Sequence, residues 1–298
     1  MCGIAGLFLR NDVLELQLGA LLAKMTSTLC ARGPDSAGFA IYGRETPGAV
    51  KLTLHGPKGT NYAVIAEKVG QAIGAPVSHS ECYTHAVLIV PEAKSVEAQA
   101  WLEANAPELV LVSVGRRLEI YKEVGYPDDV AIQFGIGNMA GTHGIAHTRM
   151  ATESAVTTDG AHPFSTGQDQ CLVHNGSLSN HASLRRELTR DGIWIRTQND
   201  SEVAAGYISR ELKKGKSLGE ALESSLNDLD GFFTFVVGTE TGFGVLRDPI
   251  ACKPAVMAET EDYVAFASEY KSLTGLPGIA KARVWEPKPA KSYFWERN

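Results

Sequence analysis

The chain has little of what marks a binder of nucleic acids or membranes. Its 28 Lys and Arg are outnumbered by 34 Asp and Glu, and the basic residues form no run. This mild acidity argues against nucleic acid or an anionic membrane surface as the main partner. No stretch approaches about 18 uninterrupted apolar residues, so we predict no membrane span. The start lacks the basic region and the longer apolar stretch of a secretory signal, and we expect none.

Cysteine is scarce and dispersed. An odd number of cysteines without CxxC spacing argues against a disulfide framework, a zinc site or an iron–sulfur cluster in this chain. The five cysteines are Cys2, Cys30, Cys82, Cys171 and Cys252. A reducing, cytoplasmic setting fits this usage best.

Histidines cluster in the second half of the chain without the spacing of a metal site. The cluster consists of His143, His147, His162, His174 and His181. The pair at 143 and 147 flanks a strand-like GIA stretch rather than lying on a helix, so we predict no metal.

What is present is a mixture of strand and helix signals. Apolar runs at 3–9 and 37–43 predict buried strands, and leucines at helical spacing predict one amphipathic helix between them. Segments 108–114 and 117–124 predict a strand pair around Gly115. Further strands are expected at 84–90 and in four antiparallel segments between 232 and 269, and helices at 61–73, 92–105, 181–190, 201–214 and 217–229. This order predicts one α+β domain spanning 1–298, with 45–140 as an elaboration within it.

The first residues, MCGIAGLFLR, place a thiol directly after Met1. A thiol attacks only as the thiolate and needs a base nearby. If Met1 is removed, the α-amino group of Cys2, with a pKa near ~7.7–8.0, is such a base. The alternative is a buried, inert cysteine at the start of a strand.

Six motifs in a fixed order set Cys2 in a wider pattern. They are CGIAG at 2–6, ARGPDSAG at 31–38, AHTRMAT at 146–152 with AHPF at 161–164, VHNGSLSN at 173–180, NDSE at 199–202, and LRDPIACKP at 246–254 with FASE at 266–269. Together they resemble the class II glutamine amidotransferases of the N-terminal nucleophile hydrolase superfamily, over roughly 2–44 and 141–275. The resemblance implies a four-layer αββα sandwich in which Cys2 attacks the side-chain amide of L-glutamine.

The resemblance also implies which residues hold glutamine. Arg149, in the H-T-R motif, would bind the α-carboxylate, for which a guanidinium fork is well suited. Asp200 would bind the α-ammonium group. The alternatives are a structural salt bridge for Arg149 and a helix N-cap for Asp200.

Asn175 and Gly176 match the family's oxyanion-binding pair. A side-chain NH2 and a backbone N–H aimed at the developing oxyanion are worth about 3 kcal/mol each. Asn-Gly is also the commonest hairpin dipeptide, and we expect a turn here at the end of the CLVH strand.

Three further positions are assigned supporting roles by the resemblance. Arg32 is expected to fasten the loop that covers the substrate. Thr152 and Glu153 fall where family members contact the substrate carboxylate, although Glu153 departs from the histidine of some branches.

The ammonia acceptor is expected on another chain. Nothing after FASEYKSL resembles an acceptor module, and HTRMATESAVTTDGAHPF is most similar to stand-alone amidotransferase subunits of glutamate synthases and N-methylglutamate synthase. That similarity implies a hetero-oligomer with an FMN- and iron–sulfur-containing partner subunit, and no cofactor in this chain. The region 45–140 is either a partner contact or a scaffold embellishment.

Two other functions stay open at this point. One is a catalytically silent regulatory or structural subunit of the same complex that keeps the pocket. The other is an N-terminal-cysteine acylase acting on other amides, which the free-amino-acid character of Arg149 and Asp200 disfavours.

Overall fold

The computed structural model describes residues 2–151 and 155–297. Its strands are β1 (Gly3–Leu9), β2 (Ser36–Tyr42), β3 (Ala49–His55), β4 (Ser78–Cys82), β5 (His85–Pro91), β6 (Val110–Gly115), β7 (Leu118–Val124), β8 (His143–Arg149), β9 (Phe164–Gly167), β10 (Gln170–Leu178), β11 (Gly231–Gly238), β12 (Gly242–Arg247), β13 (Val256–Glu259), β14 (Tyr263–Ala267), β15 (Arg283–Trp285) and β16 (Lys291–Glu296). Its α-helices are α1 (Leu18–Ser27), α2 (Tyr62–Ile73), α3 (Ser95–Asn105), α4 (Pro127–Gln133), α5 (His181–Arg190), α6 (Asp200–Lys213) and α7 (Leu218–Asp228). The six predicted helices are confirmed in place, and α4 was not predicted. No helix in these two ranges is long and apolar enough to span a bilayer.

Two antiparallel sheets form the centre of the molecule. One has seven strands in the order β15-β13-β14-β1-β8-β2-β7, and the other has five in the order β16-β12-β11-β10-β9. The strand β1 lies in the middle of the larger sheet, between β14 and β8. Cys2 is therefore followed directly by a strand whose residues are all buried.

The side chains alternate so that each sheet has two buried faces. In β1, Ile4 and Phe8 point into the core between the sheets, whereas Leu7 points into the core beneath α1 and α4. In β11, Val236 joins the core between the sheets and Phe235 packs under α5, α6 and α7. The result is helices, sheet, sheet, helices, which confirms the predicted four-layer αββα sandwich.

A third sheet lies within the predicted elaboration. Residues 49–115 run β3-α2-β4-β5-α3-β6 and form an antiparallel sheet in the order β4-β5-β3-β6. This is the βαββαβ arrangement of ferredoxin-like folds, with its own apolar core. We call residues 49–115 the inserted unit. The rest of 45–140 largely rejoins the sandwich, where β7 is an edge strand and α4 packs beneath the larger sheet.

The predicted strand pair around Gly115 is wrong. The strand β6 pairs with β3 in the inserted unit, whereas β7 pairs with β2 in the sandwich. The cause is the carboxylate of Asp169, which accepts the backbone N–H groups of Arg116, Arg117 and Leu118 at 2.7, 2.9 and 3.0 Å. With these three amides bound to one side chain, the connection does not close as a hairpin.

The four antiparallel strands predicted near the end of the chain form two hairpins in different sheets. The strands β11 and β12 pair in the smaller sheet, and β13 and β14 pair in the larger one. The chain thus crosses between the sheets after Arg247, whose guanidinium donates to the carbonyls of Ala251, Lys253 and Pro287.

Candidate active site

A cavity of about 840 Å3 opens where the two central sheets meet, beside the first residue of β1. We call it the Cys2 cavity. Its lining includes Cys2, the end of β8 at Arg149, the segment of β10 around Asn175, and Asp200 at the start of α6. Gly176 also lines the cavity. Five of the predicted site residues therefore surround one space, although they are spread between positions 2 and 200 of the sequence.

The backbone of Cys2 is held by two side chains from different elements. Its carbonyl oxygen accepts the Nε–H of Arg32 at 2.9 Å and an N–H of the Asn175 side chain at 3.2 Å. Arg32 also donates to Glu269 at 2.6 Å. Arg32 thus holds the backbone of Cys2, and its role in fastening the loop that covers the substrate stays a prediction. The thiol itself points towards the carbonyl of Met150, with the sulfur 3.9 Å from the oxygen.

Asn175 and Gly176 lie inside a strand, so the predicted turn is wrong. Asn175 is paired with Thr234 and Gly176 with Phe233 in the β10–β11 ladder. Gly176 has φ +155°, and a Cβ there would lie 1.9 Å from the carbonyl oxygen of Phe232. Only glycine fits this close approach, which lets the strand continue while Asn175 and Gly176 face the cavity.

Arg149 is the last residue of β8, and its side chain is buried. One Nη donates to the carbonyl of Ala155 at 3.3 Å. The carboxylate of Asp35 accepts the N–H of Ala151 at 2.8 Å, and the Asp35 N–H donates to the Arg149 carbonyl at 3.1 Å. The Asp of the ARGPDS motif therefore fixes the backbone on both sides of Met150, a role that sequence reasoning missed.

Asp200 is the first residue of α6, and the N-cap is its neighbour Asn199, whose side chain accepts the Ser201 N–H. The alternative of Asp200 as the N-cap is therefore wrong. One carboxylate oxygen of Asp200 accepts the N–H of Leu178 at 2.8 Å, and the other lies 3.8 Å from Nδ1 of His174. The carboxylate is thereby hydrogen-bonded to the end of β10, and Asp200 also lines the cavity.

Three buried histidines lie at this constellation, and two of them, His162 and His174, line the cavity. The rings of His147 and His162 stack at 4.1 Å, and Nε2 of His147 donates to the His174 carbonyl at 3.2 Å. Burial lowers the pKa of His147 to about 3 and that of His162 well below its usual range. Burial also lowers the pKa of His174, although the nearby Asp200 opposes the shift. These rings are neutral at pH 7, so a substrate anion has to be met by other groups.

Among the described residues, the cations that line the cavity are Arg149 and Lys253. Lys253 belongs to the LRDPIACKP motif, which carried the resemblance but suggested no role for the lysine. Ser201 was also missed; its hydroxyl lies 2.9 Å from Nδ1 of His174 and the residue follows Asp200 in the NDSE motif. The sequence signal that could have identified Lys253 and Ser201 was their place within these two motifs.

Three predicted positions, Met1, Thr152 and Glu153, lie outside the described residues. Within residues 2–151 and 155–297, no group of three or more His, Cys, Asp or Glu side chains is arranged as metal ligands.

Sequence comparison finds relatives over the whole length. A glutamine amidotransferase domain model matches residues 147–275. The chain is 58% identical to the glutamine amidotransferase-like protein GlxB of Rhizobium meliloti (strain 1021), across 99% of this chain and 98% of that protein. A relative from Methanothermobacter thermautotrophicus is 32% identical across 98% of this chain and 99% of its own length.

Similarity to solved structures extends across the fold. The glutamine phosphoribosylpyrophosphate amidotransferase of B. subtilis superposes with a TM-score of 0.62 at 19% identity, covering 99% of this chain and 47% of that one. A structure described as the allosteric regulatory enzyme of purine biosynthesis gives a TM-score of 0.64, also at 19% identity and with the same coverages. At this identity the match concerns the fold, and it agrees with the sandwich described above.

Proposed function

The chain belongs to the class II glutamine amidotransferases, and from this premise we propose that it hydrolyses L-glutamine through a thioester on Cys2 and passes the ammonia to a separate subunit. The observation that carries the proposal is the Asn175 amide, which lies 3.2 Å from the Cys2 carbonyl in a cavity also lined by Arg149 and Asp200. The residues proposed as nucleophile, oxyanion donor and amino-acid anchors thus line one cavity.

Glutamine binding uses the two charged anchors at the cavity wall. The guanidinium of Arg149 receives the α-carboxylate in a bidentate pair. The carboxylate of Asp200 receives the α-ammonium group. Since the buried histidines are neutral, Arg149 supplies the positive charge that the α-carboxylate requires. An N-acylated substrate would lack the α-ammonium group that Asp200 receives.

The reaction begins when the α-amino group of Cys2, freed by removal of Met1, takes the thiol proton. The thiolate attacks the amide carbon, and the resulting oxyanion accepts hydrogen bonds from the Asn175 side chain and the Gly176 N–H. The protonated amine then gives its proton to the leaving nitrogen, so ammonia departs and a γ-glutamyl thioester forms. Water cleaves the thioester, which yields glutamate and regenerates Cys2.

The acceptor that we propose is a subunit of the glutamate synthase or N-methylglutamate synthase type, carrying FMN and an iron–sulfur cluster. The stretch from His147 to Phe164 supports this subtype by its similarity to such stand-alone amidotransferase subunits. The near-complete coverage of two relatives supports a separate acceptor, because those relatives have about the length of this chain.

The first prediction concerns Cys2. Without the partner's acceptor substrate, we expect the processed protein, alone or with its co-purified partner, to release ammonia and glutamate in equal amounts from glutamine. We expect Cys2→Ala to abolish both. Intact mass establishes whether Met1 has been removed, and a glutamate dehydrogenase-coupled assay measures the products. Processed protein that is inactive even with its partner would favour the silent subunit, and preference for N-acyl amides would favour the acylase. Flavin absorbance in the co-purified partner tests the synthase subtype.

A further inference from the structure

One wall of the Cys2 cavity is a short segment, residues 157–163, which we call the wall segment. Gly160 and His162 of this segment line the cavity. A Cβ on Gly160 would lie 3.6 Å from an Nη of Arg149, so the segment directly adjoins the guanidinium that is proposed to bind the substrate carboxylate. The position of the wall segment therefore sets the space on one side of Arg149.

The wall segment is held from behind by one buried lysine. Lys122, on β7, directs its ammonium at the carbonyl oxygens of Asp159, Ala161 and Pro163, at 3.1, 2.8 and 3.5 Å. These three carbonyls belong to every second residue of the segment. One ammonium group, which has three N–H donors, can therefore bond to all of them. The side chain is 5% exposed and does not line the Cys2 cavity.

The surroundings of Lys122 make this contact sensitive to its charge. Burial lowers the pKa of Lys122 to about 8, with Asp159 and Glu202 acting in the opposite direction. The charged and titratable groups that face the ammonium are Asp159, Glu202, Arg149, Arg196, His85 and His162. Loss of the proton removes one of the three donors, and the 3.5 Å contact with Pro163 is the weakest of the three.

The inserted unit also contacts the wall segment. Nδ1 of His55, at the end of β3, lies 3.5 Å from a carboxylate oxygen of Asp159. Thr84 of the inserted unit donates to Glu123 at 2.9 Å, and Glu123 also accepts the hydroxyl of Thr158. The wall segment is thus bound both by β7 and by a unit that contributes nothing to the cavity lining among the described residues.

We propose that Lys122 is a positioning residue that fixes the wall segment against Arg149, and that the inserted unit shares this hold through His55. The inference rests on the proposed glutaminase function, because it assigns Lys122 an effect on glutamine binding. Neither residue touches the substrate in this scheme. The inserted unit then affects the proposed catalytic site through the contact between His55 and Asp159.

Replacement of the lysine by an isosteric apolar residue tests the proposal. We expect Lys122→Met to raise the KM for glutamine about tenfold with kcat within about twofold, because binding is lost without loss of the reacting groups. Lys122→Arg keeps a charged donor and should recover part of the affinity, and His55→Asn should raise KM by a smaller factor. The matched control is Lys51→Met, which breaks the 2.6 Å ion pair of a buried lysine with Glu119 between β3 and β7 without touching the wall segment.

The pH dependence separates positioning from a general loss of structure. In the wild type, KM should rise as pH increases through about 8, whereas the Lys122→Arg protein should lack this rise. Every other titratable group is common to the two proteins, so the difference between their profiles reports Lys122.

Hydrogen exchange provides a readout that does not depend on activity. The backbone amides of residues 157–162 should exchange faster in Lys122→Met than in Lys51→Met. Equal exchange and equal KM in these two variants would overturn the inference while leaving the proposed function intact. An inactive wild type with faster exchange in Lys122→Met would instead overturn the proposed function alone. If Lys122→Met does not fold, the same comparisons with Lys122→Arg and His55→Asn decide.

Discussion

At the scale of single residues, Cys2, the proposed nucleophile, is positioned through its backbone. Arg32 and Asn175 both donate to the Cys2 carbonyl, so the direction in which β1 begins is fixed on two sides. The Asn175 amide has two hydrogens, and the bond to Cys2 uses one of them. The same side chain therefore holds Cys2 and retains a second N–H, which the proposed oxyanion would accept.

Asn175→Ala tests this double role. We expect kcat to fall by about 10²–10³ with a much smaller change in KM, the size typical of losing one oxyanion donor. Steady-state kinetics with glutamine measures both constants, and thermal unfolding shows whether the strand β10 is intact. A loss confined to KM would contradict the assignment and point to a role in substrate binding.

The sequence predicted the residues of the Cys2 cavity better than it predicted their supports. Cys2, Arg149, Asn175, Gly176 and Asp200 each belong to a short motif, and the structure brings all five to one cavity. Lys122 has no motif, because its partners are three backbone carbonyls 37 to 41 positions away in sequence. Backbone acceptors have no residue type, so no pattern of letters could identify them.

At the scale of elements, hydrophobic patterns located strands but did not decide which strands pair. The strands β6 and β7 are two residues apart and belong to different sheets, because Asp169 binds the connecting amides. Asp169 has φ +49°, and a Cβ on Gly115 would lie 2.2 Å from its carboxylate. Gly115 was the visible signal, but the residue that requires the glycine lies more than fifty positions away.

Asp169→Ala should destabilise the protein without changing its chemistry. Three backbone N–H groups lose a charged acceptor, which we expect to lower the free energy of unfolding by about 3 kcal/mol. Asp169→Asn keeps one acceptor oxygen and should cost about 1 kcal/mol. Urea denaturation measures both, and the KM for glutamine should be unchanged. Equal stability of the Ala variant and the wild type would show that the carboxylate does not hold the two sheets apart.

At the scale of the whole molecule, the inserted unit is joined to the sandwich by a packed, partly polar interface. No linker or change of composition marks its borders, which is why 45–140 was a wider estimate than the 49–115 that form the third sheet. At this interface the ring of His85, on β5, meets Phe134 edge-on at 4.9 Å and lies 6.1 Å from Tyr121. An ionisable ring thus lies in an apolar contact between the inserted unit and the sandwich.

His85 should make the joined structure sensitive to acid. Burial lowers its pKa from 6.5 to about 3, with His55 and Lys122 acting in the same direction. Between these values the unfolded chain binds a proton that the folded protein does not. The free energy of unfolding therefore falls as pH decreases through this window, by about 1.4 kcal/mol per pH unit for one histidine.

Comparison of two non-titrating variants isolates this contribution. His85→Phe and His85→Gln should both reduce the slope of unfolding free energy against pH by about 1.4 kcal/mol per pH unit between pH 6 and about 4. The Phe variant should be the more stable of the two at pH 7.5, because its ring replaces the contact with Phe134 and leaves no buried polar group. Urea denaturation at several pH values gives the slopes. A wild-type slope in both variants would mean that His85 is protonated in the folded protein, and that the interface between the inserted unit and the sandwich accommodates a charge.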